Sequence, residues 1–203
     1  RQLLAALLQS VLAQGHELLW ASSKDLADFS DSEWVFDCRG IGAKTNWSAV
    51  RGVRGEVLRL FAPEVSLSRP TRLLHPKYPI YIAPKENHQF VIGATEIESE
   101  DLSPMSLRSS MELMSAAYTI DSAFAEARIL ESAVGLRPTL SHHDPAIRQI
   151  SEHHYQINGL YRHGFLIAPS VIDAAIEWAI EGKTELAKQY QIRIYEDYAS
   201  VSQ

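Results

Sequence analysis

Between Gly52 and Gly93 the sequence carries strand-type segments in close succession, at 56–60, 71–75, 80–83 and 89–93, while helical patterns stand on both sides. Short strands joined by short connections pair most readily with their neighbours in sequence. The last two flank Pro84-Lys85-Glu86-Asn87-His88, which reads as a hairpin turn. Strands clustered in the middle of the chain with helices flanking them are therefore expected, within a mixed α+β or α/β arrangement. Alternation places Tyr81 and Ala83 on one face of that sheet and Ile80 and Ile82 on the other.

The flanking segments extend this reading. Residues 3–13 are apolar on nearly every helical face and predict a mostly buried helix, stopped by Gly15. Residues 16–20 suit a short strand, and the polar, acidic stretch 22–32 a surface connection. Trp34-Val35-Phe36-Asp37-Cys38 is a strand that delivers the chain to a glycine turn, Arg39-Gly40-Ile41-Gly42-Ala43. Helical periodicity over 106–120 puts Leu107, Met111, Met114, Ala117 and Tyr118 on one side, which is read as core. Strand character returns at 128–134, and 146–150 with 154–157 form a short antiparallel pair. A last helix is expected over 169–180, with proline near its first turn and Gly182 at its exit. Residues 190–195 are a terminal strand or an ordered tail.

Composition narrows the function. The chain has 203 residues, enough for one sizeable core and two subdomains. Its net charge of −6 and lack of a Lys/Arg-rich run disfavour nucleic acid and anionic membrane surfaces as partners. No apolar run approaches the roughly 20 residues of a membrane helix. A lone cysteine, Cys38, permits no intrachain disulfide, so a cytoplasmic setting is expected. The start at Arg1, in what reads as a helix already under way, suggests a fragment. His142-His143-Asp144 and His153-His154 invite a metal reading, but adjacent histidines diverge on extended chain and no further ligands stand at helical spacing. No metal is expected. Cys38 as a nucleophile lacks a visible base.

Four patches can carry chemistry. The glycines of Gly40-Ile41-Gly42-Ala43 let backbone approach a flat or charged ligand, although for so short a motif a tight turn alone is the stronger reading. Tyr81 lies on a sheet face, where it either packs or meets a ligand shared with a cation. Arg137, in Gly135-Leu136-Arg137-Pro138, follows an apolar strand and precedes proline. Its guanidinium fork either clamps an acid substrate or forms a structural ion pair. Finally, Asn158-Gly159-Leu160-Tyr161-Arg162-His163-Gly164-Phe165-Leu166 runs into the last helix, offering N–H donors at a positive dipole end.

Taken in order, Arg51-Gly52-Val53-Arg54-Gly55-Glu56, Tyr81-Ile82-Ala83-Pro84, Ile92-Gly93-Ala94-Thr95-Glu96, Gly135-Leu136-Arg137-Pro138 and Tyr161-Arg162-His163-Gly164-Phe165-Leu166-Ile167-Ala168-Pro169 resemble the glycine oxidase branch of the D-amino-acid oxidase family, which is linked to thiamine biosynthesis. The resemblance implies an FAD-binding dinucleotide fold joined to an antiparallel-sheet substrate domain. Residues 1–48 and 134–181 would belong to the FAD side, 49–133 to the substrate side, and 182–203 to a carboxy-terminal tail. It further implies that Arg137 holds a substrate carboxylate with help from Tyr81, and that Arg162 lines the pocket. The backbone of His163, Gly164, Phe165 and Leu166 would face the flavin pyrimidine edge, with Gly40, Ile41, Gly42 and Ala43 bordering the cofactor from the other side.

The implied reaction takes a small amino acid and oxygen. Hydride passes from substrate Cα to flavin N5, the imine hydrolyses to a 2-oxo acid and ammonia, and oxygen reoxidises the flavin to give hydrogen peroxide. No side chain need act as a covalent catalyst. The family's Gly-rich first turn belongs to a segment outside this chain. The chain alone is therefore expected to bind FAD weakly or not at all and to be inactive, and its uncovered apolar face to favour self-association as a homo-oligomer. Glu96 is either a sensor of the substrate amino group or a solvated strand-end carboxylate. Two alternatives stay open: a flavin dehydrogenase for another small amine or hydroxy acid, and a cofactor-free interaction module.

Overall fold

The computed structural model describes residues 2–74 and 80–197 and contains two sheets. The larger is the expected antiparallel sheet, with strands β2 (Arg51–Phe61), β3 (Thr71–Arg72), β4 (Tyr81–Pro84), β5 (Gln89–Gly93) and β6 (Arg128–Thr139) in the order β3-β4-β5-β2-β6. Two of them run beyond their sequence-derived bounds, because β2 and β6 pair along nearly their whole lengths. As a result Gly135-Leu136-Arg137-Pro138 lies within a strand rather than after one. β3 is shorter than 71–75, and His75 lies outside the described residues. The hairpin joining β4 and β5 forms as expected, with Asn87 and His88 at φ of 57° and 56°.

One face of this sheet is covered. Leu58, Leu60, Ile82, Phe90 and Ile92 point to it and pack against helix α2 (Leu107–Ile120), which buries Leu113, Ala116 and Ala117. Ser106 caps the helix by accepting from the Ser109 amide at 3.1 Å. The expected core stripe needs correction here. Ala117 is buried, but Leu107, Met111, Met114 and Tyr118 are 77, 57, 38 and 56% exposed. Small residues at Ser109, Ala116 and Ala117 let the backbone sit close to the sheet, so the helix presents that side and turns the larger stripe outward.

The second sheet has the order β1-β8-β7-β9, from β1 (Val35–Asp37), β8 (His154–Asn158), β7 (Ala146–Gln149) and β9 (Arg193–Glu196). β7 and β8 are antiparallel, whereas β1 joins β8 and β9 joins β7 in parallel. Residues 190–195 thus contribute a strand. Helix α3 (Gly164–Glu181) buries Val171, Ala174, Ala175 and Trp178 with Ile147 and Tyr155, and Gly182 ends it at φ 67°. It starts earlier than 169, because the 3-10 turn Tyr161–His163 feeds it directly and leaves Pro169 inside the helix. With that turn it is long and apolar enough to cross a membrane by composition, yet its buried face is spent on this sheet. The short α4 (Glu185–Gln189) links it to β9.

Two expectations near the start fail. Helix α1 (Gln2–Ala13) forms and ends before Gly15, but none of its residues is buried; Leu3, Leu4, Leu7 and Leu12 are all more than half exposed. Among the described residues nothing buries its apolar faces. Residues 16–20 form no strand, since no described strand pairs with them, and Leu19 and Trp20 remain exposed. The two sheets meet at a small cluster of Trp47, Val50, Leu140 and Ala146, with Ile41 against it.

Candidate active site

The uncovered face of the five-stranded sheet collects the sequence-derived binding residues. Residues directly opposite across an antiparallel pair share a face. Tyr81 opposes Gly93, Gly93 opposes Val57, and Arg137 opposes Val53. Tyr81, Gly93, Val57, Gly55, Val53 and Arg137 therefore stand together, away from α2. Tyr81 is 38% exposed, while Ile82 beside it is buried, as alternation requires.

Space for the two polar heads comes from glycine. A Cβ at Gly55 would lie 2.4 Å from Cζ, Nη1 and Nη2 of Arg137, and one at Gly93 would lie 3.3 Å from the Tyr81 hydroxyl. Sequence reasoning assigned neither glycine a role; the available signal was glycine within a strand, which marks close approach of another group. Arg137 donates from Nη1 to the Thr95 carbonyl at 3.1 Å. Among the described residues no carboxylate lies within salt-bridge distance of it. The structural ion pair that competed with the clamp reading is thus not formed.

Arg162 differs. It is paired with Glu96, Nη1 to Oε2, at 2.7 Å. Glu96 also accepts from the Tyr161 hydroxyl, so this strand-end carboxylate is solvent-exposed, as one reading had it, yet already paired. Burial, then the hydrogen bond and charge of Glu96, push the Tyr161 phenol up to about 12. Tyr161 sits at φ 47°, a left-handed conformation that a non-glycine residue adopts at some cost. The Glu96 contacts tie this turn to the residues just after β5 of the five-stranded sheet. Tyr161 escaped sequence reasoning because nothing local marks a tyrosine that must adopt positive φ.

The two segments expected to flank a flavin are both anchored near Pro138. Gly40, at φ 59°, has room for a Cβ no closer than 3.3 Å to the Pro138 ring. The Asn158 side-chain amide donates to the Gly40 carbonyl at 2.8 Å, linking this segment to the loop ahead of α3. Asp37 fixes its approach: its carboxylate accepts from Arg39 Nε at 2.8 Å and from Gln156 at 3.0 Å. Burial works to raise the Asp37 pKa, but the Arg39 and Gln156 contacts outweigh it and hold the carboxyl below its ordinary value. The segment is a 3-10 helix, Gly40–Thr45, rather than a simple glycine turn. Ala43 is fully buried and Ile41 packs inward, so these two can offer a ligand only backbone.

At the start of α3, His163 provides no side-chain cap, and Phe165 and Leu166 are 74 and 79% exposed. Free first-turn amides beside open apolar side chains suit a flat, partly anionic ring system such as isoalloxazine. The residues thus fit the flavin end of FAD. The sequence contains no G-x-G-x-x-G turn for the pyrophosphate. A groove of about 930 Å³ opens farther along the same sheet face, lined by Leu3, Arg59, Lys85 and Val91 among others. It includes none of Tyr81, Arg137 and Arg162. Among the described residues no cluster of His, Cys, Asp and Glu could hold a metal.

Comparison with known proteins gives a family. A sequence model of the family described as FAD dependent oxidoreductase (DAO) matches residues 3–178. A Rhizobium etli protein named as a thiamine biosynthesis oxidoreductase, ThiO, is 48% identical over 141 residues, which is 70% of this chain and 43% of that protein. Among solved structures, glycine oxidase from Bacillus cereus superposes with a TM-score of 0.64 at 28% identity, covering 75% of this chain and 44% of the other. Iminodiacetate oxidase from Chelativorans shares the fold, with a TM-score of 0.68 at 20% identity over 83% of this chain and 47% of the other. The chain spans less than half the length of each of these relatives.

Proposed function

This chain belongs to the FAD-dependent oxidoreductase family, and from that premise we propose that it forms the substrate-binding part of an amino-acid oxidase acting on glycine or a similarly small amino acid. The observation that carries the reading is Arg137: a guanidinium on an open sheet face, beside Tyr81, with no carboxylate of the described chain as partner. An unpaired, partly buried cation at such a place suits an anion from outside. The relative named for thiamine biosynthesis and the structural likeness to a glycine oxidase support the choice of substrate and pathway.

In this reading Arg137 takes the substrate carboxylate on the edge that Thr95 leaves free, and the Tyr81 hydroxyl donates to the same carboxylate. Arg162, neutralised by Glu96, shapes the pocket wall rather than adding a second clamp. Bound FAD would supply the hydride acceptor. The first-turn amides of α3, at Gly164, Phe165 and Leu166, favour negative charge on the ring edge they face. Residues 1–48 and 134–181 form the FAD side and 49–133 the substrate side, the division falling inside β6, with 182–203 as a carboxy-terminal tail.

The complete gene product provides the test. A flavin absorbance band that bleaches on anaerobic addition of glycine supports the reading. Flavin that stays oxidised with glycine points to another amine or a hydroxy acid. A protein without flavin leaves only a cofactor-free interaction module.

A further inference from the structure

We infer that Glu56 and Thr95, on the far side of the sheet from the substrate, are positioning residues that set the orientation of the Arg137 guanidinium. The inference rests on the proposal that Arg137 binds a substrate carboxylate. Its starting point is the tripeptide Arg54-Gly55-Glu56 in β2, whose side chains alternate across the sheet. Gly55 faces outward, beneath Arg137. Arg54 and Glu56 face inward and are 5 and 0% exposed.

The inward pair is densely bonded. Arg54 Nη2 donates to Glu56 Oε1 at 2.6 Å, and Arg54 also donates to the carbonyls of Ser103 and Pro104 at 2.8 and 3.0 Å. The Ser106 amide, at the start of α2, approaches Glu56 Oε1 at 3.4 Å. A buried ion pair is a poor source of net stability compared with apolar side chains of similar volume. What this one provides is fixed geometry.

That geometry reaches Thr95. Its amide donates to the Glu56 carbonyl at 3.2 Å, and its hydroxyl accepts from the Glu56 amide at 3.0 Å and donates to Glu56 Oε2 at 3.3 Å. Both of its donors and its side chain are thereby committed to Glu56. Its carbonyl is then aimed across the sheet end at Arg137 Nη1, 3.1 Å away. Arg137 is held on one arm by that carbonyl and over one face by the Gly55 backbone. The rest of its fork is left to a ligand, which is the pre-organisation that a bidentate carboxylate contact needs.

The test uses the complete, FAD-loaded gene product, with acetate as a carboxylate probe followed by perturbation of the flavin spectrum, and glycine kinetics in parallel. Thr95→Val keeps the shape and removes the hydroxyl; Thr95→Ser keeps the hydroxyl; Glu56→Gln keeps the shape and removes the charge. The acetate Kd and glycine KM are expected to rise together by about tenfold in Thr95→Val and Glu56→Gln, the loss of one charge-linked contact. kcat should change much less, and Thr95→Ser should restore wild-type affinity. Arg137→Lys separates the two claims. If it weakens acetate binding while Thr95→Val and Glu56→Gln bind normally, the positioning role is wrong and the clamp stands. If Arg137→Lys binds acetate normally, the clamp itself is wrong and the positioning role falls with it. Equal loss in Thr95→Ser and Thr95→Val, with a lowered Tm in both, would mean a merely structural site and also overturns the inference. Should Thr95→Val fail to retain flavin, Glu56→Gln carries the same decision alone.

Discussion

Gly55→Ala is the sharpest perturbation available, because it separates substrate binding from stability. The new Cβ would meet Cζ, Nη1 and Nη2 of Arg137 at 2.4 Å, whereas ordinary carbon contacts begin at about 3.5 Å. The guanidinium must therefore retreat by about 1 Å. The end of a long side chain can do so at little cost, and Gly55 does not occupy a positive φ that would strain alanine. Replacing a compatible glycine reduces the freedom of the unfolded chain, which is worth about 0.4–1 kcal/mol. Stability should thus stay level or rise slightly. Binding should not. The 3.1 Å bond to the Thr95 carbonyl is broken by such a shift, and an ångström of misplacement can cost up to about 100-fold in rate. We expect kcat/KM for the amino acid to fall by about 10- to 100-fold with Tm unchanged or raised, measured by steady-state peroxide production and thermal melting. Wild-type kinetics with unchanged Tm would refute the claim that Arg137 contacts substrate from its place over Gly55.

Other perturbations probe separate parts of the site. Tyr81→Phe removes one donor from the open face and should lower kcat/KM by about fivefold, the worth of roughly 1 kcal/mol; an unchanged value would leave Tyr81 a packing residue. Glu96→Gln removes the carboxylate from the Tyr161 phenol, whose pKa should fall from about 12 toward the ordinary value near 10. Phenolate absorbance against pH, with Tyr161→Phe to identify the transition, measures this. While Glu96 is in place the protonated phenol favours the fold, so this contribution is intact below pH about 10 and lost as pH rises through about 12. Arg54→Leu leaves Glu56 buried without its partner and should cost about 3–5 kcal/mol in urea unfolding, whereas the double change Arg54→Leu/Glu56→Leu should cost much less.

The parts of the fold legible in the sequence are those governed by strict alternation. Ile80, Ile82, Phe90 and Ile92 alternate with Tyr81, Ala83 and Val91, and period-two patterning leaves only one way to divide them between core and open face. α2 was harder, because it carries two apolar stripes. Leu107, Met111, Met114 and Tyr118 are the larger residues, but Leu113, Ala116 and Ala117 permit the closer approach, and hydrophobicity alone does not reveal which the sheet can accommodate. For α1 the sequence describes a helix that suits burial, and none of the described elements buries it. The candidate site was half legible. Arg137 and Tyr81 stand out by residue type, whereas Gly55, Thr95 and Glu56 matter only through contacts between strands far apart in sequence.

The position of Arg137 on β6 would keep the proposed substrate and cofactor sites in register. β6 is bonded along its length to β2, so Arg137 is placed by the register Val53↔Arg137 rather than by a loop. Pro138 follows and packs by Gly40, and Leu140 then enters the cluster of Trp47, Val50 and Ala146 that joins the two sheets. A single strand thus carries the proposed clamp and, within three residues, the contacts that join the two sheets. Because side chains alternate with period two, inserting one residue into β6 between Ala133 and Leu136 would leave a choice between two losses. Either Arg137 turns to the α2 face, where a buried unpaired guanidinium is expelled at high cost, or a bulge absorbs the insertion and strains the paired strands locally while Arg137 and Pro138 keep their register. In the first case amino-acid binding should be lost ahead of FAD binding, because the clamp is removed while the Asp37–Arg39 contact lies outside β6.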